Sequence, residues 1–313
     1  TITAASRSSR EESAALANAR NERFQGGTMS ESNPQKKTSS MIQRCITGAV
    51  LVALLAGVLF VGSWLFALAA FLCLSLALYE ELTALSRGGH YPVWWTSFAG
   101  LAISVPLMMF YSSLVIIPIL ALLSFIVLLV VMRRENPDLV DICMSELPML
   151  TVVLPGMCLF GILDTEPRSL QALLLVLVFA IAVGGDTFAY FVGSAIGGPK
   201  LCPHISPNKT VAGAAGGLVG SILCAVAAGR IFTLCFPDFS GFPPIWADML
   251  CGLFGGIAGQ MGDLFASMVK RHCKIKDFGH IFPGHGGMLD RLDSIVFTAI
   301  IVYSYRVILL ASI

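Results

Sequence analysis

The sequence predicts an all-α, polytopic integral membrane protein with about nine transmembrane helices. Hydrophobic residues make up 56% of its 313 positions and charged residues only 12%, with a mean hydropathy of +0.81. A soluble domain carries about 25% charged residues. Apolar stretches recur along the chain, most of them long enough to cross ~30 Å of hydrocarbon. The lysines and arginines gather in alternate connections between those stretches, as the positive-inside rule requires. The net charge of +1 carries no information beside that distribution.

Residues 1–40 are rich in Ser, Asn, Glu, Lys and Arg, lack apolar periodicity and read as a disordered cytosolic tail. Met29 and Met41 are alternative start positions. No cleavable signal is expected, because the first apolar run continues straight into another. Apolar stretches then fall at about 42–60, 64–85, 94–111, 114–132, 148–163, 170–196, 211–235, 245–269 and 291–312. The fifth is short and the sixth contains Asp186. With the N-terminus in the cytosol, the inner connections hold Arg87, Arg133, Arg134, Lys200, Lys209, Lys270, Arg271, Lys274 and Lys276. The outer ones hold only Arg168. Residues 41–313 are thus expected to form one membrane-embedded domain. The nine cysteines show no CxxC and no close metal spacing, so reduced thiols are expected. No internal repeat is visible.

Polar residues in such a chain need a reason, since an ionisable group at the bilayer centre costs roughly 2.5–3.5 kcal/mol on insertion scales. Residues 267–293, SMVKRHCKIKDFGHIFPGHGGMLDRLD, hold five cations, a glycine-rich turn and three Asp. Asp263, just before this segment, stands with Ser267 and Lys270 at i, i+4 and i+7 on one helical face. Asp263 lies roughly 12 Å down the helix from Arg271 at about 1.5 Å per residue. Either it pairs with a neighbouring lysine, or it is a hard oxygen ligand for Mg²⁺ beside substrate phosphates.

Asp290 and Asp293 are one turn apart at the start of the last span, where the helix dipole favours anions; a purely structural cap is the plain alternative. Gly284, Gly286 and Gly287 either let backbone approach a phosphate or make a tight turn. His285 either donates to a phosphate or braces that turn. Asp186, inside an apolar helix, is a functional candidate for a metal, a cation or a nucleotide group. Ser206, Lys209 and Thr210 have the chemistry of a phosphate-gripping turn without being a Walker A sequence.

Acidic metal ligands, a basic loop and glycine turns at one membrane face fit phosphoryl or nucleotidyl transfer, where catalysis is mostly positioning and charge neutralisation. From Ser267 to Asp293 the chain follows S-x-x-K-R-x4-K-D-x5-P-x-H-G-G-x-x-D-R-x-D. This resembles the signature of phosphatidate cytidylyltransferases, the CDP-diacylglycerol synthases. Asp186-Thr187 with Ala189-Tyr190, Ser206-Pro207 with Lys209-Thr210, and Gly262-Asp263-Leu264 match shorter pieces of the family in the same order. The resemblance covers roughly residues 42–313.

The resemblance implies a Mg²⁺-dependent reaction of CTP with phosphatidate in the bilayer, giving CDP-diacylglycerol and pyrophosphate at the cytosolic face of a bacterial inner membrane. Asp263 and Asp290 would hold the metal. Lys270, Arg271 and Lys209 would grip phosphates, with Ser267 helping to position them. Asp186, Ser206, Thr210, Lys276, Asp277, His285, Gly286, Gly287, Arg291 and Asp293 complete the expected substrate-binding set. A second, monovalent cation and a homodimer are compatible with it, and no nucleic-acid partner is expected. One departure stands out: Val211 and Ala212 replace the aromatic residue and Glu usual after the Lys-Thr pair, so no role of that Glu carries over. A CTP-dependent lipid kinase would release CDP instead of pyrophosphate. A secondary transporter would show repeated halves and paired broken helices.

Overall fold

Backbone in hydrocarbon must satisfy its own N–H and C=O groups, so long apolar runs close on themselves as helices. The computed structural model describes residues 63–110, 116–237, 241–281 and 286–311. Helix α1 spans Ser63–Arg87, α2 Trp94–Phe110 and α3 Ile116–Met132. Then come α4, Leu139–Pro148, a π-helical turn, Met149–Val153, and α5, Leu154–Ile162. Helix α6 covers Arg168–Ile196; strands β1, Lys200–Cys202, and β2, Ser206–Thr210, follow. The chain ends in α7, Val211–Cys235, α8, Ile245–His272, and α9, Leu289–Ala311.

Among the described residues six helical segments are long and apolar enough to cross a membrane: α1, α4 through α5, α6, α7, α8 and α9. Helices α2 and α3 are apolar but shorter. The protein is therefore an integral membrane protein. Nine crossings are not reached on these residues: α2 and α3, expected as the third and fourth spans, fall short of that length, and the expected first span over 42–60, like the tail over 1–40, lies outside the described residues. All described residues belong to one compact unit, 50–313.

Two expectations change. The short fifth stretch begins nine residues earlier, at Leu139 instead of 148. Asp138 caps it, accepting from the Val140 N–H at 3.0 Å. Asp141 is held by Arg134 at 2.7 Å and by the Tyr91 N–H at 3.0 Å, so a charged turn folds into the helix instead of ending it. The phosphate-gripping turn expected around Ser206–Thr210 is one arm of an antiparallel hairpin over 200–210, and the described residues form no other sheet. Lys200 pairs with Thr210 and Cys202 with Ser206, with a bulge between.

Helix α6 runs along α7, and α8 lies against α7 and α9. Small residues make this possible: a Cβ at Gly185 of α6 would collide with the Ser221 hydroxyl of α7, which donates to the Ile181 carbonyl at 3.0 Å. Near the N-terminal end of α8, fully buried Asp248 binds Arg230 of α7 at 2.8 Å and the Tyr305 hydroxyl of α9 at 3.1 Å. The cysteines among the described residues are free. One buried cluster joins α1, α2, the α4–α5 region and the inner faces of α8 and α9; a second joins α5 to α9. The site lies where the C-terminal end of α8 meets the start of α9.

Candidate active site

Lys270 stands in the last turn of α8 and Asp290 in the first turn of α9. Each charge opposes the dipole end on which it sits, which favours both. The Lys270 Nζ lies 2.6 Å from Asp290 Oδ1, with side chains only 12% and 5% exposed. The other oxygen, Oδ2, accepts the N–H groups of Phe278 and Gly287, both at 2.9 Å. Gly286 makes the turn with φ +79°, and a Cβ there would sit 2.8 Å from that same oxygen. Lys270 also lies over the Phe278 ring, 5.4 Å from its centroid.

A second carboxylate enters from far away in the sequence. Glu80 of α1, 4% exposed, accepts the N–H groups of Met288 at 3.0 Å and Leu289 at 2.8 Å. These are amides at the start of α9, which no preceding residue of the helix can satisfy. Its neighbour Glu81, 2% exposed, accepts the hydroxyl of Thr151 from the π-helical turn at 2.9 Å. Just beyond α8, burial lifts the Cys273 thiol above its ordinary range, and the Glu81 charge adds to that. Neither glutamate was singled out from the sequence. The signal that finds them is the one that marks Asp186: carboxylates inside an apolar run.

The hairpin supplies the other half of the site. Lys209 lies 2.5 Å from Asp263 of α8, and both are about a quarter exposed, at 27% and 29%. Arg271 Nε donates to the Ile205 carbonyl at 3.3 Å and ties the hairpin to the end of α8. Thr210 is the N-cap of α7, its hydroxyl accepting the Gly213 N–H at 3.0 Å.

Asp263, Asp186 of α6 and Asp293 of α9 are close enough to repel one another. Lys209 and Arg291 supply positive charge near Asp186, and Lys270 does so near Asp293. Ser294 joins the last two elements, donating from its hydroxyl to Asp186 at 3.1 Å and from its N–H to Asp293 at 2.8 Å. Beside this group a cavity of about 460 Å³ is lined by Asp186, Tyr190, Asn208, Lys209, Gln260 and Asp263, among others.

The structure thus joins the expected residues in two pairs, Lys209 with Asp263 and Lys270 with Asp290, and gathers Asp186, Asp293 and Arg291 around them. Ser267 is half-buried on α8, four residues from Asp263. Arg271 and Lys276 are exposed, Asp277 is half-buried, and Ser206 lies in β2 opposite Cys202. Gly287 and its two successors direct their N–H groups at Asp290 and Glu80, so these three amides serve carboxylates. His285 and Gly284 lie outside the described residues. Among the described residues no three His, Cys, Asp or Glu side chains form a ready-made metal shell.

Fold and site define an integral membrane protein with a carboxylate–ammonium cluster between a hairpin and its last helices. The cytidylyltransferase family model matches residues 42–309, and the chain belongs to that family. It is 41% identical over 157 residues to a phosphatidate cytidylyltransferase of Bacillus subtilis (strain 168), covering 49% of this chain and 55% of that protein. It is 42% identical over 134 residues to one of Brucella abortus biovar 1 (strain 9-941), covering 43% and 47%. A third, from Synechocystis sp. (strain ATCC 27184 / PCC 6803 / Kazusa), is 41% identical over 138 residues, 44% of each chain. The chain spans about half the length of the curated relatives it matches.

Proposed function

We propose that this chain transfers CMP from CTP to phosphatidate, forming CDP-diacylglycerol and pyrophosphate. The observation that carries the reading is the Lys209–Asp263 contact lining a cavity where hairpin, α6 and α8 meet, with a second lysine–aspartate pair, Lys270–Asp290, joining the end of α8 to the start of α9. A phosphatidate monoester is already ionised, so it attacks without a general base. One of its oxygens bonds to the α-phosphorus of CTP as the bond from that phosphorus to the β-phosphate bridge breaks. The electron pair leaves with pyrophosphate.

Two anions must be brought together, and the cations of this chain do that work. Lys209, Lys270, Arg271 and Arg291 bind phosphate oxygens and offset the charge shared among them. Ser267 and Asn208 orient the nucleotide end, and the acyl chains remain in the bilayer, reached sideways between helices. The residues also suit Mg²⁺: an ammonium stands against each of Asp263 and Asp290, at 2.5 and 2.6 Å, where the charge of a divalent ion would fit. One or two carboxylates suffice when substrate phosphates complete the shell, so a three-residue cage is not needed. Asp263 and Asp290 would hold the ion, with Asp186 and Asp293 adding negative charge around it. When bound, it lowers the repulsion between the two substrates and supports the departing pyrophosphate. Lys209 and Lys270, beside those carboxylates, would be within reach of the phosphates as well.

The cation distribution supports a cytosolic N-terminus and a cytosol-facing site, and the bacterial sources of the relatives support a bacterial inner membrane. The test is to incubate purified protein with phosphatidate, labelled CTP and Mg²⁺. A CDP-lipid with one pyrophosphate per turnover is expected; CDP with a newly phosphorylated lipid would assign a CTP-dependent lipid kinase instead.

A further inference from the structure

Helix α9 begins at Leu289 after Gly287 and Met288, neither of which has a side chain able to cap it. Its first amides nevertheless have an acceptor, because Glu80 reaches them from a helix 208 residues earlier. The carboxylate is closely enclosed: a Cβ at Gly279 or at Gly287 would strike its oxygens. Asp290 meanwhile grips Phe278 and Gly287 from inside the same loop. Two carboxylates therefore hold the chain on the approach to α9, which carries Asp290 against Lys270.

We propose that Glu80 is a positioning residue for the transfer reaction: it caps α9 from α1, holds the chain at Gly287–Leu289, and so sets Asp290, Arg291 and Asp293 against Lys270. It touches no reacting atom and acts through the turn. The kinetic part of this rests on the proposed cytidylyl transfer; the structural part does not.

The test uses the full chain in lipid nanodiscs. Glu80→Gln keeps size but sets an amide donor against a backbone donor, losing one charge-assisted bond. Loss of such a bond predicts about a tenfold fall in kcat, with KM for CTP and phosphatidate changed less than about threefold. Trypsin should cut after exposed Lys274 and Lys276 about tenfold faster, by the same loosening. The melting temperature should shift by no more than about 4 °C.

Gly279→Ala should reproduce these effects, because its new methyl displaces Glu80. Combined with Glu80→Ala, which removes the main obstacle and leaves only the Gly287 Cα at 3.2 Å, it should add much less than its effect alone to the Glu80→Ala defect. Wild-type cleavage and kcat in Glu80→Gln would overturn the proposal. So would additive effects in the double variant, or a kcat loss that only tracks global melting. If the wild-type protein makes no CDP-lipid, the transfer reading fails while the cleavage and double-variant results still decide whether Glu80 holds the turn.

Discussion

Lys270→Met, Asp290→Asn and the double variant together measure the buried pair that joins α8 to α9. At 2.6 Å, two unit charges attract by about 6 kcal/mol gross at an effective dielectric of about 20. Desolvation offsets most of this, since both side chains are nearly buried. A coupling of about 2 kcal/mol should remain, within the range for groups in one network. The single Lys270→Met change should cost more, about 3 kcal/mol, because it strands a carboxylate that only two backbone N–H groups then hold. In the double variant the amide that replaces the Asp290 carboxylate has no charge to strand, so the loss should fall about 2 kcal/mol below the sum of the two single losses. Unfolding by SDS in mixed micelles, followed by tryptophan fluorescence, gives all three values. A coupling below about 0.5 kcal/mol would refute the reasoning, because the pair would then be a solvent-screened contact.

Asp263→Asn should reduce CDP-lipid formation roughly 100-fold while costing less than about 1 kcal/mol of stability, since its lysine contact is partly exposed. Near-normal turnover would remove Asp263 from the metal and substrate role. Chelation with EDTA should abolish synthesis and Mg²⁺ restore it; synthesis that persists in chelator would discard the ion. Thr210→Ala should lower stability by about 1 kcal/mol, with Thr210→Ser recovering most of it, as expected of an N-cap. A large loss of turnover at unchanged stability would assign that hydroxyl to substrate instead. Gly229→Ala drives a methyl into the Asp248 carboxylate and should cost about 1–3 kcal/mol in melting experiments, leaving the activity of the folded fraction intact.

Helix positions were largely legible from apolar run length, because hydrocarbon leaves the backbone no other solution. The stretches expected at 211–235 and 245–269 correspond to α7, Val211–Cys235, and α8, Ile245–His272. Legibility failed where polarity and structure part company. The charged residues of 138–146 suggest a loop, yet Arg134 and the Tyr91 N–H neutralise Asp141 and the helix runs through. Pro207 and Asn208 suggest an irregular turn, yet their neighbours pair as a hairpin.

At the site, residue types and spacing pointed to Asp263, Lys270 and Asp290, but not to their partners. Lys209 meets Asp263 across 54 positions, and Glu80 meets Leu289 across 209. No local pattern encodes such meetings; they arise from helix packing. The glycines at 286 and 287 illustrate the limit from the other side. Their spacing marks a tight approach to an anion, and the anions that arrive are the protein's own carboxylates.

The π-helical turn at Met149–Val153, closed by the Leu154 N–H on the Met149 carbonyl, has a consequence for everything after it. One extra residue in the winding rotates α5 by about 100° relative to α4, since an α-helix turns once in 3.6 residues. The phase of the whole second half of that span is thus set by a single inserted position. Deleting one residue from the turn would restore regular winding and swing Met157 and Phe160 off the core they now fill. It would also carry Thr151 away from Glu81, so that a buried carboxylate would lose its hydroxyl and α1 one of its links to that span.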